Sequence, residues 1–435
     1  MRIKRSGISA ARLIHRLGGT ALISERKTEA ELGDTPRSLR ADGIQLEFGG
    51  HARLTTERFD IVVVSPGAVL RDEWLAAWSS RGTEIWSEFE LSSRCYDGRW
   101  IAVTGSNGKT TTVTLLTEML RAAGLRAQSV GNIGTAWSEL LPARDVDIFV
   151  VEVSSFQMEF THSARPTIAV LLNVLENHLD RHGDLTTYGL LKLKLARRQT
   201  ANDIVVLNGD DAFLMQHAAS LKSRRVEFGT GVNADWQVVD DAVFMIDGSS
   251  AHQLLHADEW HLTGQHNLLN AAAAAAAAFH ADAPLDAIRS ALILATPVEH
   301  RIEFVRELRG IRFYNDSKST NLTATMTAIA AVAGKITLLF GGQPKLESFA
   351  PLGKLLGNKL AHLIVFGEAT AKVRQEVPVD DRIIYCDDLS SALTTACGFA
   401  DADAILLSPG CASYDQFNNF EERGTVFKSL VRNIT

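Results

Sequence analysis

Residues 100–120 read WIAVTGSNGKTTTVTLLTEML, and this stretch decides the fold. Trp100–Val103 is a short apolar run with strand character, Gly105–Thr110 is a glycine-containing loop, and Thr111–Leu120 has the apolar periodicity of a helix. A strand, a tight turn and a helix N-terminus in that order form a phosphate cradle. Gly105 and Gly108 let the backbone approach phosphate oxygens, Asn107 lies between them, and the first helical N–H groups carry partial positive charge. Lys109 is placed to reach the β- and γ-phosphates and Thr110 to offer its hydroxyl to Mg²⁺. The spacing departs from the general pattern GxxxxGK[ST], because Val103 stands where the first glycine would be and the loop reads GxxGKT. A bare GK[ST] occurs often by chance, so the strand–loop–helix context is what points to nucleotide binding.

Outward from this stretch the same alternation continues. Ile61–Val64, Ile148–Val153, Ile168–Leu172, Ile204–Leu207, Ile336–Phe340, Leu363–Phe366 and Ile405–Leu407 are apolar runs separated by helical stretches. Runs of this kind predict parallel strands covered on both faces, hence an α/β protein. Polar Ser92–Arg99 and the Pro-containing Ala295–His300 read as seams, which divides the chain into domains 1–97, 98–297 and 298–435. Residues 224–262 have shorter elements and suggest an antiparallel excursion within the middle domain. At the start, Arg2–Gly7 would be a turn, Ile8–Leu17 the helix after it, and Ala21–Ser24 the next strand, ending at Glu25. An acidic residue there suits a ribose or base contact in a Rossmann-like half, although an ordinary surface glutamate fits equally well.

Bulk properties narrow the function class. The chain has 435 residues with 44 basic against 51 acidic, a formal charge of -7, which gives no general reason to expect nucleic acid or an anionic membrane. Cys95, Cys386, Cys397 and Cys411 lack CxxC spacing, so no zinc site or disulfide framework is indicated. No signal-peptide h-region follows the basic first residues, and Ala271–Ala278 is too short to span a bilayer. The expectation is a cytoplasmic protein.

Two further loops carry candidate chemistry. Glu152 ends the run Ile148–Val153, and an acidic residue at a strand's carboxyl end beside a phosphate loop is placed to hold Mg²⁺. Asn173–Arg181 follows the next strand and brings His178 to the same edge, although an isolated histidine is more often structural. Lys192 and Lys194 share a helical stretch, where local pattern alone reads both as surface lysines.

The motifs TGSNGKTTT, EVSSFQME, LNVLENHLDRHGDLTTYGLLKLKL, GQHNLLNA, VEHRIEF, YNDSKSTN and SPGCASYDQFNNFEERG occur in the order and spacing of the Mur ligases. The last two resemble the branch of that family that adds D-glutamate. The resemblance implies an N-terminal Rossmann-like domain, a central P-loop ATPase-like domain with a parallel sheet and a C-terminal Rossmann-like domain. It implies an ADP-forming ligase of peptidoglycan precursor synthesis, monomeric, joining D-glutamate to UDP-N-acetylmuramoyl-L-alanine through an acyl phosphate.

Carried over position by position, the resemblance makes Lys109, His178 and Lys192 catalytic, and gives Thr110, Glu152, His178 and Lys192 to two Mg²⁺ ions. Lys192 would act as an N-carboxylated lysine, since a buried neutral amine can accept CO₂ and present oxygen ligands. Asn267 and Asn270 would lie near adenine, and Arg301, Asp316 and Lys318 near ribose and phosphates. Ser6, Glu25, Gly67 and Asn132 match positions facing the UDP substrate, while Thr320, Lys345, Ser413 and Phe420 match the glutamate pocket. The family's glycine-rich first turn survives only as Gly7, and Tyr414 stands where an aliphatic residue is usual. Alternatives are another Mur-type or folylpolyglutamate-type ligase, a catalytically impaired nucleotide-binding homologue, or a plain P-loop hydrolase.

Overall fold

The computed structural model describes residues 5–32, 35–66, 68, 70–132, 134–177, 179–260, 262, 264–296, 299–345 and 347–434. They fall into two compact units. One comprises the chain up to Val174 with Asp184–Leu254 and Leu269–Leu292; the other comprises Leu175–Gly183, Leu255–Leu268 and the chain from Ile293 onward. The architecture is mixed α/β with mainly parallel sheets.

The first strands are β1 Leu22–Glu25, β2 Gln45–Phe48, β3 Ile61–Val64 and β4 Glu84–Ser87. They form two parallel pairs, β1 with β2 and β3 with β4. The first helix runs Arg5–Arg16, so Ser6 and Gly7 lie in its opening turn and not in a turn before it. The Gly7 Cα lies so close to the Ser65 hydroxyl that an added Cβ would sit 3.2 Å from its Oγ.

A nine-stranded sheet follows: β5 Arg99–Thr104, β6 Ala127–Gly131, β7 Ile148–Glu152, β8 Ile168–Leu171, β9 Ile204–Asn208, β10 Arg224–Gly229, β11 Trp236–Val239, β12 Ala242–Asp247 and β13 Ser250–His256. Its spatial order is β13-β12-β11-β10-β9-β8-β5-β7-β6. The ladders from β6 to β11 are parallel, and β12 turns back antiparallel on β11. The antiparallel excursion therefore begins later than the predicted residue 224. Ile101, Ala102 and Val103 are fully buried, as apolar runs covered on both faces require. Each alanine from Ala271 to Ala278, in the helix Gln265–Phe279, is likewise at 0% exposure. Methyl side chains on every side let a helix sit deep with close backbone approach.

The C-terminal sheet contains β14 Glu303–Leu308, β15 Ile311–Asn315, β16 Ile336–Gly341, β17 Leu360–Phe366, β18 Ile383–Cys386 and β19 Ala404–Gly410. Its order is β14-β15-β19-β16-β17-β18, parallel except for β14. Ile336, Leu338, Phe340, Leu363 and Val365 pack one buried cluster, and Leu339, Ile364, Ile405 and Leu407 pack another. No helix among the described residues is long and apolar enough to cross a membrane.

Candidate active site

Register brings the candidate residues of the first unit to one edge. Val103 of β5 pairs with Glu152 of β7, Thr104 pairs with Leu171 of β8, and Gly131 of β6 pairs with Glu152. The strands point the same way, so the loop Gly105–Thr110, the Glu152 carboxylate, Asn132 and Asn173 all emerge at the carboxyl edge. Because β5 has β7 on one side and β8 on the other, the order of the strands switches sides at this point of the sheet, the usual ligand crevice of open α/β folds.

The phosphate loop is held by backbone geometry that only certain residues permit. Gly108 precedes the helix Lys109–Ala122 with φ 84°, and a Cβ there would lie 2.3 Å from Asn270 Oδ1. Asn173 clamps the loop: its carbonyl accepts from Ser106 N at 3.0 Å and its Oδ1 accepts from Asn107 N at 2.9 Å. Lys109 Nζ donates to the carbonyls of Gly105 and Ser106 at 2.7 and 3.1 Å. An ammonium so placed sits above the loop whose N–H groups would meet phosphate.

Glu152 is 2% exposed, and both of its oxygens are engaged. Thr110 Oγ1 donates to Oε2 at 2.8 Å and Asn132 Nδ2 donates to Oε1 at 3.1 Å. A hydroxyl and a carboxylate side by side make an oxygen-donor pair of the kind Mg²⁺ prefers. Among the described residues no group of three or more His, Cys, Asp and Glu side chains is arranged to hold a metal ion.

Lys192 separates from Lys194 once the helix Leu185–Leu193 is packed. Lys192 is 2% exposed, its ammonium lies 4.2 Å from the Tyr188 ring centroid, and burial followed by repulsion from Lys109 pushes its pKa well below the ordinary lysine range. Lys194 Nζ instead caps the helix Ser155–Glu159 through the Met158 carbonyl at 2.9 Å. His178 and Gly67 lie outside the described residues.

The candidate UDP contacts Ser6 and Glu25 are both half-buried, and Glu25 Oε1 accepts from Lys27 N at 3.2 Å. Beside Glu25 in the chain, Ser24 Oγ donates to Glu47 of β2 at 2.6 Å and lies 2.7 Å from His51 Nδ1. That polar group was not singled out by the sequence, which carries no local motif for it.

In the second unit, β15, β16 and β19 end together: Asn315 and Leu339 both pair with Leu407, and Gly341 pairs with Gly410. Asp316, at 0% exposure, accepts from Ser408 Oγ at 2.7 Å and from Ile302 N at 3.2 Å. Burial raises its pKa, and the positive charge of Arg301 opposes that rise. Burial, then Arg301, takes His266 down to about 4, which keeps that imidazole neutral. Lys318 Nζ lies 5.9 Å from the Phe420 ring centroid, so these two candidates stand together. Ser413, in the loop after β19, is 3% exposed, and its carbonyl accepts from Phe417 N at 2.8 Å. The Lys345 carbonyl is held by Lys372 Nζ at 2.6 Å, while Thr320 follows Ser319, whose carbonyl accepts from Gly410 N at 2.9 Å. Asn267, in the second unit, and Asn270, in the first, are three residues apart on the helix Gln265–Phe279 and both buried at 6% exposure.

Comparison with known proteins places this architecture. Residues 103–278 match the Mur ligase middle domain and residues 300–411 the Mur ligase glutamate ligase domain. The chain is 38% identical to the UDP-N-acetylmuramoylalanine--D-glutamate ligase of Acidobacterium capsulatum, over 98% of this chain and 94% of the relative. It is 37% identical to the protein of the same name from Geobacillus kaustophilus, over 99% and 96%. Among solved structures, the MurF ligase of Thermotoga maritima in complex with ADP superposes with a TM-score of 0.61 at 20% identity, covering 88% of this chain and all of that one. A folylpolyglutamate synthase/dihydrofolate synthase superposes at 0.58 and 18% identity, covering 79% of this chain and 92% of that one. With two family domains in order and near full-length relatives above 30% identity, the chain belongs to the Mur ligase family.

Proposed function

We propose that this chain joins D-glutamate to UDP-N-acetylmuramoyl-L-alanine with ATP, releasing ADP and phosphate, in the cytoplasmic synthesis of peptidoglycan precursor. The observation that carries this reading is near full-length similarity to relatives bearing that activity's name. The pairing of Thr110 with Glu152 beside the phosphate loop supports the ATP chemistry. The functional organisation is three-part: residues 1–97 receive the UDP substrate, 98–297 bind ATP, and 298–435 receive glutamate.

Mg²⁺ held by Thr110 and Glu152, with a second ion assigned to His178 and N-carboxylated Lys192, would offset charge on the phosphate oxygens. The chain's own residues do the rest. Backbone N–H groups of Gly105–Thr110 and the Lys109 ammonium bind the β- and γ-phosphates and hold the γ-phosphorus in line with the alanyl carboxylate. A carboxylate oxygen attacks that phosphorus, the bond to ADP breaks, and an acyl phosphate results. The amine of glutamate attacks the acyl carbon, loses a proton, and phosphate leaves as the amide forms. Asn132, bonded to Glu152, ties the alanyl substrate's side to the metal's. Asn267, Asn270, Arg301, Asp316 and Lys318 receive the nucleoside and phosphates, while Ser6, Glu25 and Gly67 receive the UDP end. Thr320, Lys345, Ser413 and Phe420 take the glutamate, with Lys345 pairing the side-chain carboxylate.

The test is a ligation assay with UDP-N-acetylmuramoyl-L-alanine, ATP, Mg²⁺ and either glutamate enantiomer. ADP release that needs both acceptor and D-glutamate is expected. Equal turnover without an acceptor would mark a plain hydrolase and overturn the reading, as would ligation confined to L-glutamate or to a folate.

A further inference from the structure

The second unit contains a charged side chain that the chemistry above does not use. Arg423 lies in the helix Phe420–Asn433 at 0% exposure, one of the largest fully buried side chains in the molecule. Burying a guanidinium is costly unless its donors are met. Here they are met almost wholly by backbone. Nη2 donates to the Ser317 carbonyl at 2.8 Å and to the Cys411 carbonyl at 3.2 Å, and Nε donates to Ser317 Oγ at 3.0 Å. Nη1 donates to Cys411 at 3.2 Å and, at 3.5 Å, to the carbonyls of Gly341 and Ala412.

These acceptors belong to the three loops that leave the carboxyl edge after β15, β16 and β19. Those loops carry Thr320, Lys345 and Ser413, and the helix of Arg423 begins with Phe420, whose carbonyl accepts from Ser317 Oγ at 2.8 Å. All four proposed glutamate contacts therefore radiate from segments tied to one guanidinium. The loops are also tied to one another, since Gln343 and Ala412 exchange backbone hydrogen bonds at 2.8 and 3.0 Å. Gly342 makes room: its φ is 122°, and a Cβ there would lie 2.3 Å from the Ala412 carbonyl and 3.0 Å from Arg423 Nη1.

Burial, the leading cause, lowers the guanidinium's pKa to about 10, and the charges of Asp415 and Asp316 oppose that fall, so it remains cationic at neutral pH.

Resting on the proposed glutamate pocket, we propose that Arg423 is a positioning residue for glutamate, locking the three loops and the helix start into one rigid seat. It does not touch the amino acid, so its effect is carried by Thr320, Lys345, Ser413 and Phe420.

Ligation kinetics of full-length variants test this. Arg423→Met leaves several buried carbonyls without a donor, and KM for D-glutamate is expected to rise about tenfold or more. KM for ATP should rise by less, since of the proposed nucleotide contacts only Asp316 and Lys318 flank the Ser317 that Arg423 holds, and a general loss of structure does not produce that inequality. Arg423→Lys keeps the charge but reaches fewer carbonyls, so it should restore part of the affinity. Gly342→Ala crowds the same contact from the other side and should raise KM for D-glutamate selectively, even if Arg423→Met fails to fold. Equal changes in both KM values, or an unchanged KM for D-glutamate in Arg423→Lys and Gly342→Ala, would overturn the proposal. Absence of D-glutamate ligation by the wild-type chain would instead sink the functional reading, so the two failures are distinguishable.

Discussion

Thr110 Oγ1 donates to Glu152 Oε2 at 2.8 Å, joining the last residue of the phosphate loop to the last residue of the neighbouring strand. In the proposed chemistry this pair supports the metal beside the phosphate loop. The second Glu152 oxygen is held by Asn132, so the carboxylate has one fixed orientation.

Thr110→Val keeps the shape of the side chain and removes its oxygen. We expect kcat to fall by about a hundredfold or more, the scale of losing one preorganised polar contact at a charged transition state. Glu152→Gln should retain the contacts to Thr110 and Asn132 but weaken cation binding, moving the Mg²⁺ dependence of the initial rate to higher concentrations. Titration of MgCl₂ at saturating ATP reads both. An unshifted Mg²⁺ curve in Glu152→Gln counts against Glu152 as the metal's support.

Lys192 gives a pH signature of definite sign. Its folded-state pKa is depressed below 10.5 by burial and by Lys109, so between those two values the unfolded chain binds more protons than the folded one. Stability then rises with pH through that window, relative to a variant without the amine. Lys192→Met should therefore be more stable than the parent at neutral pH, and the gap should narrow as pH approaches 10.5. Thermal melts of both chains from pH 7 to 10 check this. The variant should lose ligase activity, and CO₂-depleted buffer should lower the parent's rate reversibly if the amine is carboxylated; bicarbonate restoring nothing would argue against the carbamate.

How much of this was legible in the sequence depends on how local the cause was. Ile148–Val153 and Ile336–Phe340 announce themselves as strands because both faces are buried, and β7 and β16 fall there. The loop at Gly105–Thr110 was readable because its glycines and helix start are contiguous. Lys192 was not, since periodicity cannot tell which of two lysines on one helix turns inward. Asn173 and Arg423 were assigned no role because their partners lie far away in sequence, 66 residues for Asn107 and 106 for Ser317. Strand pairing in the first part of the chain was not legible, because four-residue strands such as Leu22–Glu25 carry too little pattern to fix their partners.

Asn173 supplies a sharper test of the loop. Asn173→Ala removes the acceptor of Asn107 N while leaving the strand before it intact. A loop released from one such bond should bind nucleotide more weakly, with KM for ATP raised roughly five- to tenfold and kcat changed less. Gly108→Ala should be harsher, because φ 84° and the approach of Asn270 both oppose a Cβ. We expect about 1–3 kcal/mol of lost stability there, measured by denaturant unfolding.

Glu88 carries the opposite pH sign. It is buried at 2% exposure in the helix Glu88–Arg94, where Oε1 accepts from Ser138 N at 2.8 Å and from Ser92 Oγ at 3.1 Å. Burial outweighs those bonds and raises its pKa above 4.5. Between 4.5 and the raised value the folded chain holds more protons than the unfolded one, so stability contributed by the neutral acid is lost as pH rises through that window. Glu88→Gln stays neutral throughout and can still accept from Ser138 N through its amide oxygen. It should match the parent below pH 4.5 and equal or exceed its stability at pH 7. Glu88→Ala leaves Ser138 N unpaired and a void behind it, and should lose about 1–3 kcal/mol at both pH values. Urea unfolding of the three chains at pH 4.5 and 7 separates the outcomes. A parent more stable than Glu88→Gln at pH 7 would mean that the ionised carboxylate strengthens the fold, and that its hydrogen bonds outweigh the cost of burial.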